Sequence, residues 1–193
     1  MPVIQPASSR FTRALEELVA MRWCAGMQVE EIGSPQRIAP YSVALGGELS
    51  SPGGNLLSSG RFILLHDPLG NDAWQGIFRI VSYTRAAVDL EMVADSLLPE
   101  VAWSWLTDAL GRERCSSGML AGTVTASYGR SFGQMSDEAD KGEVEVRASW
   151  TPQLDDRHPL DDHLLAWQDL LRAVAGAPPT TSGVTSLIER MRR

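Results

Sequence analysis

Residues 143–150, with the sequence EVEVRASW, alternate strictly between polar and apolar side chains. Successive side chains of a β-strand point to opposite faces of its sheet, so this stretch predicts a strand with one buried and one solvated face. Such a pattern is typical of antiparallel sheets, whose second face can remain open to water. The buried set is Val144, Val146, Ala148 and Trp150, and the solvated set is Glu143, Glu145, Arg147 and Ser149.

Further strands are predicted before this one, with turn residues between them. The nearest is marked by spaced apolar residues, namely Leu120, Val124, Ala126 and Tyr128. Earlier stretches rich in β-branched and aromatic residues predict strands at 27–32, 41–49, 61–65 and 77–88. Residues 62–65 are apolar on both faces, which indicates a central strand covered on both sides. Residues 50–60, rich in Ser, Gly and Pro, predict a loop.

Three helices are predicted around these strands. Ser8 or Ser9 can cap the first, which turns one apolar set towards a core: Phe11, Ala14, Leu15, Leu18 and Trp23. The second begins near Pro99, whose missing N–H costs nothing in a first turn, and its apolar arc is wide. The third begins near Asp161 and ends at Gly176, and it buries Leu164, Trp167, Leu171 and Val174.

These elements predict an α+β fold with two layers, a mainly antiparallel sheet and helices packed on one of its faces. Their order is roughly α-β(3–4)-α-β(2)-α. We expect a single domain over 8–178 and a partly disordered C-terminal tail over 179–193. At the level of the fold alone, this order resembles type III secretion chaperones and proteins similar to them.

The charge and cysteine content restrict the compartment and the partners. A net charge of −7 argues against a non-specific grip on nucleic acid or on an anionic membrane. Cys24 and Cys115 are too few for a disulfide framework and predict reduced thiols. Residues 1–10 lack the pattern of a secretory signal, and no apolar run approaches a membrane span. We therefore expect a soluble cytoplasmic protein with no membrane partner.

The strongest candidate site lies at the end of a predicted strand. His66, Asp67, Asp72 and Trp74 could converge near a hairpin loop as a general-base or ligand-binding corner. The alternative is that Asp67, Asp72 and the residues between them form turns, while Trp74 closes the loop against the core. Turn chemistry accounts for every residue of this segment except His66, so it is the favoured interpretation.

Other patterns give weaker indications. The acidic and imidazole residues between Asp155 and His163 could suggest a metal, but acidic residues are common at a helix start, and we expect no metal. Trp74, Trp103 and Trp105 are the tryptophans with a chance of exposure, because the other three fall at periodic core positions. Neither a phosphate loop nor a G-x-S-x-G elbow is present, so the sequence indicates no cofactor and no catalytic residue.

Four segments together resemble an actinobacterial family catalogued as domain of unknown function 3000. They are 35–40 (PQRIAP), 66–79 with its His66 to Trp74 stretch and Phe78-Arg79, 97–106 (LLPEVAWSWL) and 145–152 (EVRASWTP). The match runs from about Phe11 to Val184. It implies one whole-chain domain from a high-GC Gram-positive bacterium and no particular reaction. A ribonuclease D-like gene beside the family's genes gives a thin hint of RNA metabolism.

Two functions from different classes stay open, with a weaker third. The favoured one is a non-enzymatic protein-interaction or chaperone-like module that uses a sheet face or the Trp103 and Trp105 helix edge, with self-association. The alternative is an enzyme or small-ligand binder in which His66, Asp67, Asp72 and Trp74 share one pocket, with Glu100 or Arg79 alongside. A role in RNA metabolism would require one shared face for Arg61, Arg79, Arg85, Arg112, Arg114 and Arg147.

Overall fold

The computed structural model describes residues 8–35 and 37–177. Within them the strands are β1 (Met27–Ile32), β2 (Tyr41–Ser50), β3 (Leu56–Asn71), β4 (Gly76–Val88), β5 (Ser117–Gly129) and β6 (Lys141–Pro152). The helices are α1 (Ser9–Ala20), α2 (Leu90–Ala94), α3 (Leu98–Arg112) and α4 (Leu160–Val174), with a 3₁₀ turn at Gly133–Met135. The predicted tail, 179–193, lies outside the described residues, and the single-domain boundary stays a prediction.

All neighbouring strands are antiparallel and form one sheet in the order β1-β2-β3-β4-β6-β5. The first four strands follow one another as hairpins. The chain then leaves the sheet through α2 and α3 and returns as β5, which pairs only with β6 among the described strands. The sheet therefore has two edges, formed by β1 and β5.

The described helices contact one face of this sheet. The register aligns Gly47, Gly60, Thr84, Val146 and Val124 in one row across five strands. Strand residues that point to the same face as this row lie against the helices. The helix residues next to them are Trp167 and Leu171 of α4, Trp103 of α3, Val93 of α2 and, through His66, Phe11 of α1. The α+β prediction with helices on one face is confirmed.

The structure differs from the prediction in four places, one of which is the end of β3 at Asn71 rather than at residue 65. β3 begins at Leu56, inside the stretch predicted as a loop, because it pairs with β2 on one side and β4 on the other. Ladder hydrogen bonds to two neighbours outweigh the weak strand preference of Ser and Gly. The short helix α2 was not predicted. Within 62–65, Phe62, Leu64 and Leu65 are buried, whereas Ile63, which lies on the face without a described helix, is only partly covered.

A close approach between α4 and β2 sets the distance between the layers. A Cβ atom on Gly47 would lie 2.6 Å from the ring of Trp167, closer than carbon atoms can pack. The Trp167 side chain is completely buried, and its ring also meets Phe62 and Trp23. Glycine at position 47 therefore lets α4 lie close to the sheet.

We expect Gly47→Ala to lower the free energy of unfolding by about 1–3 kcal/mol, the typical cost of overpacking a core. Urea denaturation would measure it. Gly33→Ala is the matched control, because no atom lies within 4 Å of the Cβ position there. Equal stabilities of the two variants would contradict the packing argument.

None of the helices formed by the described residues is long and apolar enough to cross a membrane.

Candidate functional site

His66 lies in the helix-covered core and has no exposed surface (0 %). Its ring stacks between Phe11, with centroids 5.3 Å apart, and Phe78, with centroids 4.5 Å apart. Burial lowers the pKa of His66, so the ring is neutral near pH 7. Its Nδ1 lies 3.1 Å from the carbonyl oxygen of Ile77, and its Nε2 lies 2.8 Å from the Ser8 hydroxyl.

These contacts assign the tautomer of His66. A carbonyl can only accept, so Nδ1–H donates to Ile77 and Nε2 accepts from the Ser8 hydroxyl. The same Ser8 oxygen accepts the backbone N–H of Phe11 at 3.3 Å and caps α1. Both ring nitrogens are thus used to join the start of α1 to β3 and β4.

The structure does not bring the other residues of this candidate corner to His66. The Asp67 side chain accepts the Leu69 backbone N–H at 3.1 Å, which is turn chemistry, and Asp72 is exposed in the turn between β3 and β4. Trp74 is half-buried, and its carbonyl accepts the Thr151 hydroxyl at 2.6 Å. Arg79 and Glu100 do not approach His66 either. Arg79 points to the opposite face of the sheet, and Glu100 is exposed on α3.

We expect Ser8→Ala to destabilise the fold by about 1–2 kcal/mol, because it removes a helix cap and leaves a buried His66 nitrogen without a donor. Chemical denaturation would measure the change. Ser8→Thr retains the hydroxyl and is expected to recover most of it. A stability loss in Ser8→Thr equal to that in Ser8→Ala would contradict the role of the hydroxyl.

The acidic and imidazole residues between Asp155 and His163 point in different directions. Asp155 accepts the backbone N–H groups of Arg157 and His158, Asp156 pairs with Arg13, and His163 turns into the core. In the described part of the chain, no group of three or more His, Cys, Asp or Glu side chains could hold a metal ion. The first N–H of α4, at Leu160, is capped from α1 by Glu17 at 2.7 Å, a contact that the sequence did not indicate.

His163 is a second buried, neutral histidine. Trp150 Nε1–H donates to its Nδ1 at 3.1 Å, a bond that requires that nitrogen to be unprotonated. Burial, with a smaller effect of His158, lowers the pKa of His163 to about 4. In the unfolded chain a histidine titrates near pH 6.5. Between these two values the unfolded state binds more protons than the folded state, so stability falls as the pH is lowered.

We expect the free energy of unfolding to fall below about pH 6.5, with His163 contributing up to about 1.4 kcal/mol per pH unit down to about pH 4. His163→Gln keeps an acceptor for Trp150 but removes the titration, so its slope in this window should be shallower. Urea titrations at a series of pH values would compare the two proteins. Above pH 7 their slopes should coincide, and identical slopes at all pH values would refute the assignment.

Trp103 and Trp105 lie on different sides of α3. Trp103 is half-buried and packs on β5, where a Cβ at Gly122 would lie 2.6 Å from its ring. Trp105 lines a groove of about 450 Å³ between α3 and the end of α4. In that groove Arg112 pairs with the buried carboxylate of Asp169. The two tryptophans therefore do not form one continuous surface.

The opposite face of the sheet is not covered by any described helix and forms a trough of about 1060 Å³. A row of directly opposed residues crosses it from β2 to β5: Gly46, Arg61, Tyr83, Arg147 and Thr123. The Arg147 guanidinium lies 5.5 Å from the centre of the Tyr83 ring. Ile63 and Val81 pair beside this row and supply partly exposed apolar surface. We call this surface the open face.

Charges of both signs lie on the open face. Its basic residues are Arg61, Arg79, Arg85 and Arg147, and its acidic residues are Glu30, Glu48, Glu143 and Glu145. Arg147 pairs with Glu145 at 2.6 Å and Arg85 approaches Glu143 at 3.9 Å. Burial first, and then Glu145, raises the pKa of Tyr83, so the phenol keeps its proton at neutral pH.

Two of the arginines differ in how they are held. Arg79 donates to the Ser149 hydroxyl at 2.6 Å, the Thr151 hydroxyl at 3.1 Å and the Met119 carbonyl at 2.9 Å. It therefore joins β4, β6 and β5. The side chain of Arg61 is exposed and makes no hydrogen bond or ion pair within the described ranges, so its guanidinium can donate to a partner from outside.

The sequence pointed to part of the open face. Of the six arginines considered for an RNA role, Arg61, Arg79, Arg85 and Arg147 share it. Arg112 and Arg114 lie at the end of α3, away from it. Tyr83 was missed because 79–87 (RIVSYTRAA) does not alternate between polar and apolar residues, and the polar Ser82 and Thr84 lie on its buried face. Only the register places Tyr83 between Arg61 and Arg147.

A family model described as "Protein of unknown function (DUF3000)" matches residues 7–185 of the chain. The matched range contains every described strand and helix. No curated protein and no solved structure matches the chain.

Proposed function

Because the chain belongs to the DUF3000 family, whose description leaves the function unknown, we propose a function from the chain's own surface. It is a non-enzymatic protein-interaction module that binds a protein partner on the open face of its sheet. We assign it to the cytoplasm of an actinobacterium. The resemblance of its sequence segments supports the source, and its two unpaired cysteines support a reducing compartment.

The observation that carries this proposal is the row of Arg61, Tyr83 and Arg147. Tyrosine and arginine are enriched among the residues that dominate binding energy at protein interfaces. Here a half-buried ring lies between two exposed arginines, on strands whose pairing fixes the backbone positions of all three residues. Such a row offers rigid contact area together with charged donors, at little cost in side-chain entropy for the ring.

The chemistry of the row indicates what the partner presents. Arg61 has an unused guanidinium, and Arg147 could exchange Glu145 for a carboxylate of the partner. Ile63 and Val81 beside it favour apolar contacts. We therefore propose a protein segment that carries carboxylates next to apolar side chains. A chaperone-like role is the same proposal with an incompletely folded client as the partner.

The geometry supports the alternative functions less well. A small-ligand or catalytic site around His66, Asp67, Asp72 and Trp74 would need His66 to reach a ligand, and its ring is buried and hydrogen-bonded at both nitrogens. An RNA-linked role is favoured by the four arginines of the open face. The four glutamates on that face offset their charge, and phosphate binding depends on excess positive charge.

The test is affinity purification of the tagged protein from its native cytoplasm, followed by mass spectrometry. We expect Tyr83→Ala and Arg61→Glu to reduce recovery of a stoichiometric protein partner about tenfold or more, since hot-spot residues contribute about 2 kcal/mol or more. Arg22→Glu is the matched control, because it makes the same charge change at an exposed site outside the open face.

Two results would contradict this proposal. Undiminished partner recovery in both open-face variants would remove the open face as the binding surface. Co-purifying RNA that is lost in Arg61→Glu, and whose binding weakens steeply with added salt, would favour the RNA-linked role instead.

A further inference from the structure

The edge strand β5 is long and carries no charge. Its 13 residues, SGMLAGTVTASYG, contain neither Asp, Glu, Lys, Arg nor Pro, although 21% of the whole chain is charged. Most of its residues are exposed. An edge strand presents unpaired backbone N–H and C=O groups, and proteins usually protect such edges with charges, proline or short length. β5 has none of these protections over most of its length.

The opposite edge provides an internal comparison. β1 has six residues, and two of them, Glu30 and Glu31, are exposed and acidic. It is therefore both short and charged, as expected of an edge that must not pair. The contrast between the two edges of the same sheet indicates that β5 is kept open for pairing.

We propose that β5 pairs antiparallel with β5 of a second copy of this chain, which joins the two sheets into one continuous sheet. An irregularity between Gly118 and Ala121, where Met119 has a φ of 51°, interrupts the start of the strand. The regular part is therefore 121–129. A two-fold axis through its middle places Thr125 opposite Thr125 of the second copy.

This register pairs side chains that fit one another. On the helix side, Tyr128 (53 % exposed) lies opposite Gly122 of the second copy, a large ring against a residue without a side chain. Val124 lies opposite Ala126. On the open-face side, Thr123 lies opposite Ser127, and Thr–Ser and Thr–Thr pairs are favourable across strands. No like charges meet at the axis, because the strand has none.

The second layer contributes to the same contact. Trp103 of α3 already lies over Gly122 and is only half-buried. Tyr128 of the second copy, placed opposite Gly122, would therefore lie beside the Trp103 ring and cover it further. This assigns a role to one of the three tryptophans that the sequence indicated as having a chance of exposure. We assign the partner of β5 as a second copy of this chain because the complementary residues, Tyr128 and Gly122, both belong to β5 itself.

The first experiment is sedimentation equilibrium of the full chain. We expect the wild type to have twice its monomer mass of 21.0 kDa at micromolar concentrations. Thr125→Lys would place two like charges at the axis and should raise the dimer dissociation constant at least tenfold. The monomer should still fold, because Thr125 is exposed and faces Glu145 of β6, an acidic neighbour for the lysine.

Gln28→Lys is the matched control, an exposed position on the edge strand β1, and it should leave the dimer intact. A wild type that is monomeric throughout, a dimer that survives Thr125→Lys, or a dimer broken by Gln28→Lys would each overturn the proposal. A monomer that captures another protein through β5 would overturn it too, because the occupant would differ.

A cross-link tests the register independently. Opposed residues in antiparallel strands have Cα atoms about 4.5–5.5 Å apart, within the range that a disulfide spans. Thr125→Cys should therefore form a disulfide-linked dimer under mild oxidation, seen on a non-reducing gel. Gln28→Cys should not, and the wild type with Cys24 and Cys115 sets the background. Equal cross-linking of all three would refute the β5 register while leaving the open-face proposal untouched.

Discussion

The described helices pack on one side of the sheet, and this one-sided burial determines which residues of each strand must fit a core and which are left on the open face. The constraint acts through the pleat, because every second residue of each strand must fit the helix layer. Gly47 and Gly60 show how tight that fit is, since any side chain there would meet Trp167 or Leu171. The alternate residues of each strand point away from the helices and need not fit them, and these residues form the open face.

The same constraint explains why the histidines are structural. His66 of β3 faces the helices and His163 of α4 faces the sheet, so both lie between the two layers, where burial favours the neutral ring. Each is held by a specific donor or acceptor, Ser8 and Ile77 for the first and Trp150 for the second. A neutral imidazole in this setting satisfies buried polar groups, and the His66 ring has neither a free nitrogen nor solvent contact with which to act on a ligand.

The open face and the β5 edge differ in the kind of contact with which each could bind a partner. On the open face, Arg61, Tyr83 and Arg147 supply side-chain contacts with charge, whereas β5 supplies backbone hydrogen bonds without charge. The two surfaces are adjacent, because Thr123 of β5 ends the row that contains Tyr83. A sheet extended through β5 would bring two open faces side by side and double the surface available to a partner.

The sequence by itself determined the type of most elements, the class of fold and the helix layer on one face, because residue periodicity reports local geometry directly. The stretch 143–150 alternates as a half-buried strand should, and the structure has it so. It could not determine which strands are neighbours, why β3 extends back to Leu56, or that Arg61, Tyr83 and Arg147 stand in one row. Those features depend on register and strand order, which are set by pairing between segments far apart in the chain.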